Sequence, residues 1–414
     1  MKNSRAIFAL AVALAALLAG PVPALAAKGD STVMLQGFHW TSWKSAPWWG
    51  QIKAKAPEIS AAGIDLVWLP PPSDSSAPEG YMPRRLSVLD SAYGTEAQLA
   101  EAVRALHSRG VRAIGDVVVN HRVGTKDWAD FTEPAWEVDS VCSDDEWGKG
   151  KGARDTGKGF HAARDIDHTK LYVRNSVKSW LNGLKDAVGF DGWRYDYARG
   201  FTPGYMLEYN RASGASFSVA ELWDDLEIGN TDGHRQASCD WMDAVGGEIK
   251  VFDFTTKGIL QTAMKNGEYW RLADKNGQPS GLLGWWPANA VTFIENHDTG
   301  SSPGSGLKAD AWPFPSDKVL GGYAYILTHP GIPCLYWPHF FDPGMKAPIT
   351  ALVKLRRAQG ISSTSSIKIM KADTGVYAAV IDGRTAVRLG DRAWNPGEGW
   401  TVAAQGPSYT VWTR

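Results

Sequence analysis

The chain is poor in cysteine, with only Cys142, Cys239 and Cys334 among its 414 residues. Three thiols cannot form the dense disulfide framework that stabilises small secreted domains, and an odd number leaves at least one thiol unpaired. Whether any two of them pair is open from the sequence. The fold must therefore be stabilised by a packed core or by a bound metal ion.

An excess of charge of either sign is also missing, because 43 lysine and arginine residues stand against 44 acidic residues. Proteins that bind nucleic acid or an anionic membrane surface usually carry a basic excess or a basic stripe. The balance therefore argues against both kinds of partner and favours a neutral ligand.

Long apolar runs are confined to the start of the chain. A basic beginning and apolar residues 6–18 precede an Ala-Leu-Ala triplet at 24–26, which is the pattern of a signal peptide and its cleavage site. We predict that residues 1–27 are a signal peptide and that the mature protein is secreted, into the periplasm or the medium. A transmembrane helix needs ~20 apolar residues, and no later stretch approaches that length.

Tryptophan, in contrast, is abundant, with 20 residues. Core filling accounts for many of them, but the tandem pairs at 48–49 and 285–286 are hard to bury completely, because each indole N–H needs a hydrogen-bond partner. Exposed flat aromatic rings suit the apolar faces of sugar rings. Carbohydrate is therefore the first expectation for the ligand.

Eight short apolar runs alternate with amphipathic segments. We predict strands at 32–38, 64–69, 111–119, 192–197, 217–222, 251–254, 291–295 and 332–337. The clearest helix begins at the capping box of Thr95 and Gln98 and ends before Gly110; others are predicted at 49–62, 170–187, 203–212, 256–272, 317–328 and 349–358. Eight alternating units predict an α/β fold, a closed (β/α)8 TIM barrel.

Two regions interrupt this alternation. Residues 122–168 are rich in Gly, Asp, Lys and Trp without a sustained period, which predicts a long loop domain inserted after the third strand. Five short runs separated by Gly and Asp turns predict a small antiparallel β domain over residues 361–414. The catalytic barrel would then consist of residues 28–121 and 169–360.

Polar residues gather at the predicted carboxyl ends of the strands, where barrels of this type carry their active sites. In the stretch GFDGWRYDYARG, strand alternation places Arg194, Asp196 and Ala198 on one face. Alone, Arg194 and Asp196 could be a structural ion pair. The other strand ends add more polar residues, which favours a common site at one rim: Asp116, Asn120, His121, Glu221, His297 and Asp298.

Four of these blocks, DVVVNH, GWRYDYARG, SVAELW and FIENHDTG, stand in the order and spacing of the conserved regions of the α-amylase family of glycoside hydrolases. Linking segments such as MLQGFHW, EGYMPRRLSVLDSAYGT and WPFPSDKV resemble the plant-type and related bacterial α-amylases. The resemblance extends over nearly the whole chain that follows the signal peptide.

By this resemblance, Asp196 is the catalytic nucleophile, Glu221 the general acid and base, and Asp298 the third catalytic carboxylate. Retaining hydrolysis needs two carboxyl groups about 5–5.5 Å apart in opposite protonation states. We expect Arg194 to lower the pKa of Asp196, and apolar surroundings with neighbouring carboxylates to raise the pKa of Glu221. The resemblance also implies substrate-binding roles for Tyr81, His121, Arg194, Trp223 and His297.

The resemblance further implies one calcium ion between the loop domain and the barrel. The matching ligands are oxygen donors, which suit Ca²⁺ better than zinc: Asn120, Asp155, Asp165 and the carbonyl group of Gly200, with the carbonyl group of Lys158 as a further candidate. Gly159 stands where another acidic ligand would be expected, so additional calcium sites are doubtful.

Trp285 and Trp286 match a tandem pair that plant-type members use to attach to starch, although packing at the rim would also explain them. We therefore expect a secreted, calcium-dependent, endo-acting α-amylase that cleaves α-1,4-glucosidic bonds of starch or glycogen with retention. The expected protein is monomeric and binds neither nucleic acid nor membranes. An exo-acting enzyme, a transglycosylase and a non-catalytic starch-binding protein are the alternatives.

Overall fold

The computed structural model describes residues 29–125, 128–303 and 311–414. Eight parallel strands close into a barrel in which each strand pairs with its neighbours in the chain, and the last pairs with the first. The predicted (β/α)8 barrel is thus confirmed; the predicted signal peptide lies outside the described residues. The strands are β1 (Met34–Gln36), β2 (Leu66–Leu69), β3 (Arg112–Val117), β4 (Gly192–Tyr195), β5 (Phe217–Ala220), β6 (Lys250–Phe252), β7 (Ala290–Thr292) and β8 (Ile332–Tyr336).

Helices cover the outside of the barrel. They are α1 (Trp48–Ala62), α2 (Glu96–His107), α3 (Leu171–Val188), α4 (Pro203–Ser213), α5 (Thr231–Ala244), α6 (Phe254–Asn266), α7 (Val319–Thr328) and α8 (Lys346–Ala358), with a short helical turn at Trp337–Phe340. The predicted capping box forms, because Thr95 and Gln98 each accept a hydrogen bond from the other's backbone N–H. Within the described ranges, no helix is both long and apolar enough to cross a membrane.

The sequence did not predict α5, and the composition of its buried face explains why. That face includes polar side chains, so apolar residues do not recur at helical spacing: its buried residues are Arg235, Ser238, Trp241 and Met242. Burial of Arg235 is possible because its guanidinium pairs with Asp232 at 2.8 Å and Asp274 at 3.1 Å. The helix is therefore stabilised by the long-range contact between Arg235 and Asp274, which a search for apolar residues at helical spacing does not detect.

Residues 118–170 leave the barrel between β3 and α3. Their described residues include a short antiparallel ladder, in which His121 pairs with Asp165 and Arg122 with Arg164. The buried guanidinium of Arg122 lies over the ring of Trp136, with a distance of 4.4 Å to the ring centroid. It fastens this excursion to the barrel side by donating hydrogen bonds to three carbonyl groups: those of Arg84, Thr132 and Pro134.

The predicted C-terminal β domain is confirmed as a five-stranded antiparallel sheet. Its strands are β9 (Ile367–Asp373), β10 (Val376–Ile381), β11 (Thr385–Gly390), β12 (Thr401–Gly406) and β13 (Tyr409–Thr413), in the spatial order β9-β10-β11-β13-β12. The Tyr377 hydroxyl lies 2.8 Å from Nε2 of His329, the residue that follows α7. This buried contact joins the sheet to the barrel helices.

The fourth barrel strand ends two residues earlier than the sequence suggested. Tyr197 has a φ of 44°, in the left-handed region, and a 3-10 turn follows at Ala198–Gly200. The prediction that Ala198 shares a strand face with Arg194 is therefore wrong. The early turn leaves Asp196 directly beyond the last strand residue, Tyr195.

Candidate active site

Three carboxylates line one cleft at the carboxyl ends of the barrel strands. Asp196 and Glu221 directly follow β4 and β5, and Asp298 lies in the loop after β7. Asp196 and Glu221 are each only 8% exposed. The cleft has a volume of about 330 Å³, and the rest of its wall is largely aromatic: Trp40, Tyr81, Phe160, Tyr197, Arg199, Trp223 and His297.

The loop that carries Asp298 is fixed by its own turn and by a buried ion pair. The Oδ1 atom of Asn296 accepts hydrogen bonds from the N–H groups of Asp298 and Thr299, at 3.0 and 2.9 Å. The Thr299 hydroxyl donates to Glu295 at 3.1 Å, and Glu295 pairs with the buried ammonium group of Lys257 at 3.5 Å. These contacts hold the Asp298 backbone in one conformation. The contribution of Lys257 was not predicted, because α6 lies far from Glu295 in the sequence.

A single guanidinium, that of Arg194, contacts three acids. Its Nη1 donates to Asp196 Oδ1 at 2.6 Å and to the two carboxylate oxygens of Asp116 at 2.9 and 3.1 Å. Its Nη2 lies 2.6 Å from Oε1 of Glu221. Arg194 is fully buried and is not among the residues that line the cleft, so its expected contact with substrate stays a prediction. It positions the two acids that do line the cleft.

Asp116 is the member of this cluster for which the sequence suggested no role. Its Oδ2 atom also accepts hydrogen bonds from the indole N–H of Trp68 at 3.0 Å and from the Tyr81 hydroxyl at 2.8 Å. Asp116 pairs in register with Arg194 across β3 and β4. Because Asp116 is fully buried, it anchors the guanidinium and does not contact the cleft.

Burial dominates the protonation of these acids. It raises the pKa of Asp116 and of Asp196 to about 6, and that of Glu221 to about 7, while Arg194 lowers each of them. One positive charge cannot stabilise three buried anions, since the carboxylates also repel one another. Arg194 lowers the pKa of Asp196 as expected, but burial outweighs this effect, so the net shift of Asp196 is upward. The expected order of the pKa values is confirmed, because the pKa of Glu221 is higher than that of Asp196.

A stack of rings forms the side of the cleft next to Asp298. The rings of Trp40, Tyr81 and His297 are nearly parallel and all contact one another. Their centroid distances are 6.0 Å from Trp40 to Tyr81, 5.1 Å from Tyr81 to His297 and 6.0 Å from Trp40 to His297. The Nε2 atom of His297 is 3.2 Å from Oδ2 of Asp298. Across the cleft, Trp223 stacks on Phe254 at 5.2 Å. Trp40 occurs in the MLQGFHW segment, but the sequence alone assigned it no role.

His121 does not line the cleft. It is fully buried, its ring stacks on Phe160 at 3.9 Å, and its Nε2 lies 2.9 Å from the carbonyl oxygen of Tyr81. Burial lowers the pKa of His121 to about 4, so the ring is neutral near pH 7. The expected contact between His121 and substrate therefore stays a prediction. In this structure, His121 supports Tyr81 and Phe160, which face the cleft.

The residues predicted to hold a cation converge where the excursion meets the barrel. Asn120 donates to Asp165 at 3.1 Å, and Gly200 approaches Asn120 so closely that a Cβ at this glycine would lie 1.9 Å from Asn120 Oδ1. Oδ2 of Asp155 is buried and has no hydrogen-bond partner among the described residues. Burial and repulsion from Asp155 raise the pKa of Asp165 to about 7. Oxygen donors with uncompensated negative charge fit a hard cation.

A second acidic group, formed by Asp145, Glu146 and Asp165, has ligand atoms close enough together to hold a metal ion. Its charge is already partly neutralised, because the Arg164 guanidinium lies 3.2 Å from both Asp145 and Glu146. The N–H of Asp165 also donates to Asp145 at 2.9 Å. The charge of this group is therefore better compensated than that of Asp155, whose Oδ2 has no hydrogen-bond partner among the described residues.

Trp285 and Trp286 lie outside the cleft. Trp285 is 41% exposed, and the guanidinium of Arg235 in α5 lies 3.6 Å from its ring centroid. Trp286 is half-buried and packs against the core. One face of Trp285 is thus covered by Arg235, and the pair belongs to the outer wall next to α5.

The (β/α)8 barrel and its cleft, which combines paired carboxylates with aromatic walls, are typical of glycoside hydrolases. Comparison with known families supports this: the family described as "Alpha amylase, catalytic domain" matches residues 49–145, and the "Alpha-amylase C-terminal beta-sheet domain" matches residues 358–413.

Similar proteins narrow the class. The chain is 44% identical to "Probable alpha-amylase 2" of Arabidopsis thaliana, over 92% of this chain and 94% of that protein. It is 32% identical to "Glucan 1,4-alpha-maltotetraohydrolase" of Stutzerimonas stutzeri, over 89% and 70%. In fold, it is similar to an α-amylase from Malbranchea cinnamomea, with a TM-score of 0.68, 18% identity and coverage of 93% and 95%. The chain belongs to the α-amylase family and is a starch-hydrolysing enzyme.

The raised pKa of Glu221 predicts a stability that depends on pH. Its pKa rises from 4.5 to about 7 on folding, so the folded state holds the proton more tightly and loses stability as the pH rises through this window. Glu221→Gln has no such proton to lose. The urea unfolding midpoint of Glu221→Gln should therefore rise relative to that of wild type as the pH is raised from about 5 to about 8. The exposed Glu398→Gln should show no such trend, and parallel curves for Glu221→Gln and wild type would refute the assignment.

Proposed function

We propose that the enzyme is an endo-acting, retaining α-amylase that hydrolyses α-1,4-glucosidic bonds in starch, glycogen and related glucans. The observation that carries this proposal is the contact of Asp196 and Glu221 with neighbouring nitrogens of the Arg194 guanidinium, each at 2.6 Å. A bridge this short favours the close carboxyl pair of retaining enzymes over the wider pair of inverting enzymes. Burial raises the pKa of Glu221 above that of Asp196, which suits Glu221 as the proton donor and Asp196 as the nucleophile.

In the first step, a carboxylate oxygen of Asp196 attacks the anomeric carbon while Glu221 donates its proton to the glycosidic oxygen. The bond between that carbon and that oxygen breaks, and a glycosyl ester of Asp196 forms. In the second step, Glu221 accepts a proton from water, whose oxygen attacks the same carbon and releases Asp196. Two displacements at one carbon retain its configuration.

Asp298 and the ring stack act on the sugar itself. The Asp298 carboxylate would accept hydrogen bonds from hydroxyl groups of a distorted glucosyl unit, and its negative charge would stabilise the positive charge that develops at the transition state. Tyr81 and Trp40 would stack on the apolar face of a sugar ring. His297, whose Nε2 lies 3.2 Å from Asp298, would line the same side of the cleft and orient that carboxylate toward the sugar.

We further propose that Asn120, Asp155, Asp165 and the carbonyl group of Gly200 hold one calcium ion. The ion would supply a charge that neutralises the buried carboxylates and links the excursion to the barrel. The unpartnered Oδ2 of Asp155 supports this proposal. Gly159 lies beside Asp165 and adds no carboxylate, so one ion suffices for this group of acids.

Export is proposed from the signal-like residues 1–27, and the monomeric state from the family resemblance. The surface pair Trp285 and Trp286 is proposed as an attachment point for starch granules. In support, Trp285 presents an exposed ring whose position is fixed by Arg235.

An exo-acting enzyme that releases a short maltooligosaccharide is the second candidate. The observation that favours it is the 32% identity to a maltotetraohydrolase over most of both chains. Chromatography of early products from amylose separates the two modes. A mixture of chain lengths supports endo action, whereas a single short product from the first minutes supports exo action.

Loss of either acid of the proposed pair should abolish turnover. Asp196→Asn removes the nucleophile and Glu221→Gln the proton donor, so we expect kcat on soluble starch to fall roughly 10³-fold or more in each. Asp224→Asn, at a half-exposed carboxylate that pairs with Arg199, serves as the control and should retain most activity. Substantial activity in either purified variant would refute the assigned roles. Proton NMR of the first product should show the α-anomer, and a β-anomer would exclude retention.

Chelation should destabilise the protein through the Asp155 site. Saturating calcium at 100 times its Kd adds roughly 2.7 kcal/mol of stability, so EGTA should lower the Tm of wild type. The Tm of Asp155→Asn should respond to calcium and EGTA far less. Asp145→Asn alters the alternative acidic group and should respond as wild type does. A full calcium response in Asp155→Asn, with its loss in Asp145→Asn, would place the ion in the other group.

Replacing both tryptophans of the surface pair should weaken granule binding without changing the chemistry. We expect the Trp285→Ala, Trp286→Ala double variant to adsorb less to starch granules while its kcat/KM on a short soluble maltooligosaccharide stays at the wild-type value. Trp128→Ala, at an exposed tryptophan of the excursion between β3 and α3, is the matched control. Unchanged adsorption of the double variant would limit the pair to a packing role.

A further inference from the structure

A buried amide contacts the histidine at the edge of the cleft. Gln36 is the last residue of β1, and its Nε2 atom lies 2.9 Å from Nδ1 of His297. Each of the two side chains is only 1% exposed. The contact spans 261 positions of sequence, so local structure does not create it. The roles derived above give Gln36 no part in the reaction.

Asp298 determines which nitrogen of His297 carries the proton. Nε2 of His297 lies 3.2 Å from Oδ2 of Asp298, and an ionised carboxylate can only accept a hydrogen bond. Nε2 must therefore be protonated. In a neutral imidazole the other nitrogen, Nδ1, then has a lone pair, and the amide N–H of Gln36 is the complementary donor.

The surroundings of His297 oppose a second proton on the ring. Aromatic rings pack around it: Phe38 at 5.0 Å, Tyr81 at 5.1 Å, Trp68 at 5.5 Å and Trp40 at 6.0 Å between centroids. Trp68 and Tyr81 also contact the Arg194 guanidinium, which adds a nearby positive charge. Asp298 alone would favour an imidazolium ion. A donor directed at Nδ1 opposes it, because a protonated Nδ1 would place two N–H groups against each other.

We propose that Gln36 is a positioning residue that fixes His297 as the neutral tautomer with its proton on Nε2. Asp298 then receives a hydrogen bond and keeps its full negative charge. An imidazolium ion would neutralise that charge and would place a cation beside the carbon at which positive charge develops. The kinetic consequence rests on the proposed retaining mechanism, whereas the tautomer itself does not.

NMR of protein labelled with ¹⁵N in the histidine rings tests the tautomer without any substrate. The chain has nine histidines, and the signals of His297 are identified by their absence from His297→Gln. At pH 7, we expect wild type to show a protonated Nε2 and an unprotonated Nδ1. A proton on Nδ1, alone or together with one on Nε2, would overturn the proposal even if no Gln36 variant folds.

Two variants separate positioning from packing. Gln36→Glu offers Nδ1 an acceptor, so His297 should become an imidazolium ion, and kcat should fall roughly 10- to 100-fold while KM changes by less than about threefold. Gln36→Met keeps the length of the side chain but has no donor, so it should lose the single tautomer and part of kcat. The exposed Gln278→Glu is the control. Ring signals of His297 that match wild type in both Gln36 variants would overturn the role of Gln36, whatever reaction the enzyme catalyses.

Discussion

The site depends on one buried guanidinium that three carboxylates share. Arg194 cannot be deprotonated at working pH, so it supplies a permanent positive charge, but only one. Two of its acids, Asp196 and Glu221, are exposed just enough to meet a substrate, whereas Asp116 is fully buried. Mutual repulsion then makes the last proton hard to remove. The cluster thus creates an acid and a nucleophile from chemically similar side chains.

The closed barrel supplies the geometry for this sharing. β3, β4 and β5 are consecutive neighbours, so Asp116, Arg194 and the residues after β4 and β5 meet at one rim although they are far apart in the chain. Trp68 and Tyr81 donate hydrogen bonds to Asp116. Asp116 is thereby held in place and in turn positions the Arg194 guanidinium. Burying so much charge opposes folding. The large packed barrel and the docked C-terminal sheet offset that cost.

Much of this arrangement could be predicted from the sequence, because the barrel strands are short apolar runs and several of them, including β3, β4, β5 and β7, are followed by polar residues. The parts that could not be predicted depend on long-range contacts. α5 was missed because Arg235 is buried through distant Asp274, and Asp116 gained a role only through its register with Arg194. The net upward shift of the Asp196 pKa was not predicted, because the sequence showed its neighbour Arg194 but neither the extent of burial nor the other two acids that share this charge.

Infrared difference spectroscopy at about pH 6.5 tests the shared-charge account most directly, because protonated and ionised carboxyl groups absorb at separate frequencies. Subtracting the spectrum of Glu221→Gln from that of wild type should leave the band of a protonated carboxyl group. Subtracting the spectrum of Asp196→Asn should leave the bands of a carboxylate. The reverse pattern, with the proton on Asp196 and the charge on Glu221, would contradict the account.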